Sequence, residues 1–389
     1  MQTAGACSNL SRRVRALPAS PIRALLNAHR GPDTLDLGGG IPEPALFPSA
    51  ALRDASLQVL SQSSDFALQY GPTEGHLGLR EWISARLKLR GFEVSKEQIL
   101  ITHGSQHALA TAASAILSEG DLALLEQPVY PGALQAFSVT EARLGVLPVT
   151  EEGWDLSGIL TPTPKAVYVM AQHQNPTGRC ASAAMRAELA TLARHQEFYI
   201  LEDDAYGELD FAGRLSRPLI ADCPSQGLLL GSFSKTLCPG LRLGYLVAPV
   251  ALIEPLVRLL QMNALQPNTF TQQMAFQLLT HFDYEAHLGA VRRLYQARAF
   301  DLSARLREVK LEHRTPTGGF FLWVKAGENA SNLAKIAALR GLLAVPESAF
   351  QVPGFGKADH HLRMAFSRYV DHSAAQTKLR AVFGGADVL

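Results

Sequence analysis

Two hydroxyls and two cations share one short stretch of this chain: Ser232, Ser234, Lys235 and Arg242, between Gly231 and Gly244. Pro239 and Gly240 mark a loop there, and two strand-like apolar runs, Gly227 to Leu230 and Leu243 to Val247, flank it. Hydroxyls offer directed donors and a guanidinium offers fixed charge, a combination suited to an anion such as phosphate. A lysine beside a second cation and apolar walls loses proton affinity. Such a lysine can attack a carbonyl and form a Schiff base. The rival reading is a polar turn with a solvated lysine.

Other chemically capable residues also sit just past apolar runs. Gln98 to Thr102 reads as a buried strand, His103-Gly104-Ser105-Gln106 as a turn, and His107 to Leu117 as an Ala-rich helix. A helix start presents free N–H groups and a favourable dipole to an anion. Ser105 can cap that helix and touch a phosphate at once. The strand Leu122 to Leu125 leads to Tyr130, an aromatic that can stack on a flat heteroaromatic ring or pack in the core. Lys165 to Met170 leads to Asn175-Pro176-Thr177-Gly178, where Asn-Pro starts a turn.

Phe198 to Leu201 leads to Glu202-Asp203-Asp204-Ala205-Tyr206. A carboxylate beside a pyridine nitrogen keeps that nitrogen protonated. Three acids in a row also fit a metal site or a solvated loop, but no His/Cys spacing supports a metal. His103, His107 and His173 match no common metal spacing either. In the strand pattern His361 to Phe366, Arg363 faces away from Leu362 and Met364. An inward arginine needs an anionic partner: an internal Asp or Glu, or a substrate carboxylate that matches its planar fork. Asp36 to Pro44 is a Gly- and Pro-rich loop in which backbone can approach a ligand. Tyr70-Gly71-Pro72 is a turn before a helix over Leu77 to Leu89.

Strands alternate with helices from about residue 50 to 280, and these elements must position the residues above. That predicts an α/β fold with a mostly parallel sheet covered by helices on both faces. Ligands of such sheets lie at the carboxyl ends of the strands, where nearly every candidate above falls. Ser20-Pro21-Ile22-Arg23 opens a short helical pattern. Helices are expected over Val250 to Leu265, Thr269 to His281, Tyr284 to Lys310 and Asn332 to Arg340, with a strand within Pro316 to Val324. The expected division is a flexible tail over 1–19, a large domain over 46–284, and a smaller α+β domain from 20–45 and 285–389.

The 389 residues, 47% hydrophobic and 18% charged, fit an ordinary globular protein of two domains. The net charge of +1 exerts no overall pull towards nucleic acid or an anionic membrane. Cys7, Cys180, Cys223 and Cys238 are scattered without a CxxC spacing, which suggests a reducing compartment. No signal-peptide core and no run of ~18 apolar residues is seen, so the expected location is cytoplasmic.

Ser232-Phe-Ser-Lys235 followed by Pro239-Gly-Leu-Arg242-Leu-Gly-Tyr resembles the lysine segment of fold-type I, class I/II aminotransferases dependent on pyridoxal 5'-phosphate (PLP). It is similar as well to the aminotransferase-like domain of MocR-type regulators, and the likeness runs from about residue 20 to 370. The resemblance implies a seven-stranded-type sheet and a homodimer with shared active sites. It also implies a Schiff base between PLP and Lys235, the catalytic residue together with Asp203 and Tyr130. Asp203 rather than Asp204 would meet the pyridine nitrogen, and Tyr130 would cover the ring. Asn175 and Tyr206 would donate to the phenolic oxygen. Gly104, Ser105, Gln106, Ser232, Ser234 and Arg242 would hold the phosphate end, joined by Tyr70 from the partner subunit. Gly40, Asn175 and Arg363 would bind the substrate, with its carboxylate on Arg363, rather than Arg368, and Gly40 near it.

The activity implied is transfer of an amino group from an aromatic or 2-aminoadipate-like amino acid to a 2-oxo acid. The alternatives are another PLP reaction (β-lyase, decarboxylase or oxidase) and a non-catalytic effector domain. The start of the chain is expected to leave no room for a winged-helix DNA reader, against the last of these. Ala171, where the family usually has proline, and His173-Gln174 depart towards the regulator branch.

Overall fold

The computed structural model of the protein describes residues 9–17, 33–159, 161–356, 358–370 and 372–384. The helical pattern read from Ser20 lies outside them. Within the stretch read as a tail, Arg12–Ala16 forms a short helix. Arg12 bonds Glu119 and Glu141 there, on the surface.

A two-residue strand, β1 (Leu35–Asp36), precedes the main sheet. Seven strands build that sheet: β2 (Ile99–Thr102), β3 (Leu122–Gln127), β4 (Arg143–Pro148), β5 (Ala166–Val169), β6 (Tyr199–Asp203), β7 (Gly227–Ser232) and β8 (Gly244–Val247). Their order is β2-β8-β7-β6-β5-β3-β4. The pairs among β3 to β7 are parallel, and β8 runs antiparallel to both its neighbours. The expected mostly parallel, doubly covered α/β sheet is therefore present. Its side chains alternate between two cores, as the pleat requires. Leu100, Tyr168, Leu201 and Leu230 enter one; Ile101, Val169, Ile200 and Leu229 enter the other.

A smaller antiparallel sheet has the order β11-β12-β9. It comprises β9 (Phe321–Lys325), β11 (Val345–Pro346) and β12 (His361–Ala365), while β10 (Leu342–Leu343) pairs with β1. The Tyr284–Glu308 helix links the cores: Tyr284 and Leu288 pack in one, and Val291 to Leu306 in the other. Most predicted elements recur within one or two residues. The helix read from His107 starts at Ser105, and the strand read to Leu201 continues to Asp203.

One cross-strand pair holds the lysine loop in place. Gly231 lies opposite Tyr245, and a Cβ on Gly231 would stand 2.0 Å from the tyrosine ring. Gly231→Ala is therefore expected to overpack the loop's root and cost about 1–3 kcal/mol. A lower denaturant midpoint at unchanged slope would show it; an unchanged midpoint would contradict this reading.

Candidate active site

The carboxyl ends of β2, β3, β5, β6 and β7 open on one cavity of about 230 Å³. Gly40, Ser105, Gln106, Tyr130, Asn175, Asp203, Tyr206, Ser232, Ser234, Lys235, Arg242 and Arg363 all line it. Sequence reasoning named each of these, though they are spread over more than 300 positions. Gly104 sits just behind, at φ +85°, where an added Cβ would stand 2.9 Å from Arg242. Glycine thus lets the β2 turn close onto the lysine loop.

Tyr70 is not in this cavity. It is 77% exposed and lies in a surface groove with Leu265, Gln266 and Thr269. His103 and His107 stack with ring centroids 5.3 Å apart. His173 lies elsewhere, with Nδ1 3.4 Å from Cys180 Sγ. Among the described residues, no group of three His, Cys, Asp or Glu is placed to hold a metal ion.

The acidic triplet shows how strand period assigns roles. Glu202 and Asp204 project to one face and Asp203 to the other. Glu202 accepts the backbone N–H groups of Leu219 and Ile220, each at 3.0 Å. Asp204 pairs with Arg90, both side chains almost fully buried. Asp203 faces the cavity. Its Oδ2 accepts the Tyr168 hydroxyl at 2.9 Å, while Oδ1 is buried with no partner. Burial pushes its carboxyl up to about 7, against the Tyr168 hydrogen bond and the nearby Lys235 charge.

Lys235 Nζ donates to the Gly40 carbonyl at 3.2 Å and stands 5.6 Å from the centre of the Phe320 ring. Burial first, then the Arg363 and Arg242 charges, push its amine down to about 8. Arg363 is fully buried. It donates from Nη1 to Asn175 Oδ1 at 2.9 Å and from Nη2 to the Gly38 carbonyl at 2.6 Å. Its guanidinium lies 4.4 Å from the Phe321 ring centre and 4.9 Å from that of Phe350. No carboxylate among the described residues bonds it, and Nε has no partner. Among the described residues the internal ion pair considered from sequence is thus not closed at bonding distance, although the Asp36 charge acts on Arg363 from further off. Arg368 is exposed.

Tyr168 was missed from sequence, where it is one residue of an apolar strand. A tyrosine in so apolar a run does carry a signal, because its buried hydroxyl needs a partner. Ile41, Met170 and Phe321, which add apolar wall to the cavity, carry no such signal.

PLP fits these residues. Asp203 Oδ1 is an open buried acceptor of the kind a protonated ring nitrogen satisfies. At the other end, Ser105 begins a helix beside Ser232, Ser234 and Arg242, as an anion requires. Lys235 lines the same cavity.

A doubly covered sheet with a buried lysine and an open carboxylate at its strand ends, faced by a buried arginine from the smaller sheet, is the arrangement a PLP enzyme needs. The chain belongs to the class I and II aminotransferases, the family that matches residues 32–367. It is 34% identical to a 2-aminoadipate transaminase from Thermus thermophilus, over 90% of each chain. It superposes on the kynurenine aminotransferase of Pyrococcus horikoshii, solved in complex with PMP, with a TM-score of 0.90 and 30% identity, over 98% of this chain and 97% of that one. It is also 30% identical to the probable rhizopine catabolism regulatory protein MocR of Rhizobium meliloti, over 76% of this chain and 59% of that protein. The family uses PLP, and this chain is a PLP-dependent transferase.

The attacking form of Lys235 is the neutral amine. With the amine near pH 8 rather than its ordinary 10.5, attachment of the cofactor aldehyde to apo protein is expected to quicken as pH rises and level off above about 8. Stopped-flow absorbance reads this directly. A midpoint near 10.5, or a flat profile, would contradict it.

Proposed function

We propose that this aminotransferase moves the amino group of an aromatic or 2-aminoadipate-like L-amino acid to a 2-oxo acid. The observation that carries the reading is one cavity holding Lys235, Asp203 with its open oxygen, and Arg363 without an acidic partner. Its apolar wall of Ile41, Met170 and Phe321 suits a large side chain. Relatives named for 2-aminoadipate and for kynurenine support the same range.

When bound, PLP supplies a ring that accepts the electrons left as a bond to the substrate α carbon breaks. Lys235 Nζ would hold the cofactor by its aldehyde. As a free amine it would take a proton from the substrate α carbon and later give one back, as base and then acid. Asp203 Oδ1 would keep the ring nitrogen protonated, and the Tyr168 hydroxyl, donating to Oδ2, fixes that carboxylate. Tyr130 would cover the ring. Asn175 and Tyr206 would donate to the phenolic oxygen. Ser105, Ser232, Ser234 and Arg242 hold the phosphate, with Gly104 and Gln106 shaping the turn beneath it. Arg363 and Asn175 take the substrate carboxylate, and Gly40 lies against it.

The assembly proposed is a homodimer. Phe66, Leu68, Tyr70, Met262 and Leu265 expose large apolar surfaces, each more than half uncovered, and a second copy would cover such a patch. Tyr70 would then reach the partner's phosphate end. Among the described residues, no helix is long and apolar enough to cross a membrane.

Screening paired amino and oxo acids against the purified protein tests the reading. The visible band of the bound cofactor should fall with an aromatic or 2-aminoadipate-like donor and return with a 2-oxo acid. Release of ammonia, carbon dioxide or peroxide instead would overturn it.

A further inference from the structure

Gln174 joins two loops of the site. Its Nε2 donates to Glu126 Oε1 at 3.2 Å and to the Pro128 carbonyl at 2.7 Å. Its Oε1 accepts the Thr177 N–H at 2.9 Å and the Thr177 hydroxyl at 2.6 Å. The side chain is 2% exposed. Glu126, fully buried, is fixed in turn by Trp154 Nε1 at 3.1 Å. Pro128 stands two residues before Tyr130. Asn175, the residue after Gln174, accepts Arg363 Nη1.

Only a primary amide of this length fits. One end must donate twice, to a carboxylate and a carbonyl; the other must accept twice, from an N–H and a hydroxyl. An ionised carboxylate would face the Pro128 carbonyl with no proton to donate, and an apolar side chain would leave buried polar groups unpaired.

We propose that Gln174 is a positioning residue that sets Asn175 against Arg363 and so orients the guanidinium for the substrate carboxylate. Through Pro128 it ties the same loop to the segment that carries Tyr130. The inference rests on the reading of Asn175 and Arg363 as the carboxylate site.

The test uses PLP-loaded Gln174→Ala and Gln174→Glu, with Asn175→Ala and Arg363→Lys as references. Gln174→Ala is expected to raise the amino acid's KM by about 10- to 100-fold, more than it lowers kcat, because a small displacement of positioning groups is costly. The pH midpoint of the bound cofactor's visible band should move upward, as Asn175 no longer faces the phenolic oxygen squarely. Gln174→Glu should be worse. Adding Glu126→Gln to it restores one donor–acceptor pair and should recover part of the loss. Should Gln174→Ala not fold, the near-isosteric Glu126→Gln alone is expected to shift KM and midpoint the same way, by less.

A lower melting temperature with KM and midpoint at wild-type values would make Gln174 merely structural and overturn the proposal. If Asn175→Ala and Arg363→Lys also keep the wild-type KM, the carboxylate reading falls with it. If those two raise KM and the Gln174 and Glu126 variants do not, this inference alone falls.

Discussion

Lys235→Ala is expected to fold, to bind PLP without a covalent bond, and to lose transamination by on the order of 10⁴-fold or more. General acid–base catalysis by one side chain contributes up to about that factor, and the same amine also provides the attachment. No other lysine lines the cavity among the described residues, and the guanidinium of Arg242 or Arg363 cannot replace a neutral amine. The variant should not be a folding mutant. Burial holds the Lys235 amine down at about 8, so the native state disfavours the proton that the unfolded chain keeps up to about 10.5. In the apo protein this weakens the fold as pH drops from the higher value through the lower, by on the order of a few kcal/mol. Alanine removes that cost while losing the packing of the stem. Melting curves should therefore show the apo variant gaining on wild type as pH falls from about 10 to 8. A variant that still turns over, or whose relative stability has the opposite pH trend, would count against the assignment.

Asp203→Asn has the second largest expected effect. The amide keeps the shape and still accepts the Tyr168 hydroxyl, but it cannot hold a proton on the ring nitrogen by charge. Loss of one such electrostatic contact costs about 10²–10³ in kcat. Apo stability should change in the opposite direction. The Asp203 carboxyl titrates near 7 in the fold, against an ordinary 3.8. The native state thus binds a proton that the unfolded chain has released, and stability falls as pH rises from about 4 to 7, then levels. Burial raises Glu126 to about 8 and Glu202 to about 7, so both contribute in the same sense. At pH 8, apo Asp203→Asn should melt above apo wild type, while cofactor should stabilise it less. Wild-type kcat in the variant, or a lower apo melting temperature at pH 8, would contradict this.

Much of the site was readable before any coordinates, for a physical reason. In a parallel sheet the ends of apolar runs mark the carboxyl ends of strands, which brings Asp203, Asn175 and Tyr130 towards one site; their roles, and Asp203 rather than Asp204, follow from the family resemblance. Period-two alternation sets Arg363 apart from Leu362 and Met364. What did not show depends on distant pairing. Tyr168 meets Asp203 across two neighbouring strands. Gln174 reaches Glu126, 48 positions away, and its chemistry as a two-way amide appears only once both ends are seen. The antiparallel direction of β8 follows from its tight return after the lysine loop, which neither periodicity nor composition reports. Strand ends ran past their predicted limits because Gln127, Asp203 and Ser232 keep the ladder while ending the apolar pattern.

The most direct measurement is borohydride reduction of the PLP-loaded protein followed by peptide mass mapping. The account predicts one phosphopyridoxyl adduct per chain, on Lys235. An adduct on a different lysine, or none, would contradict it.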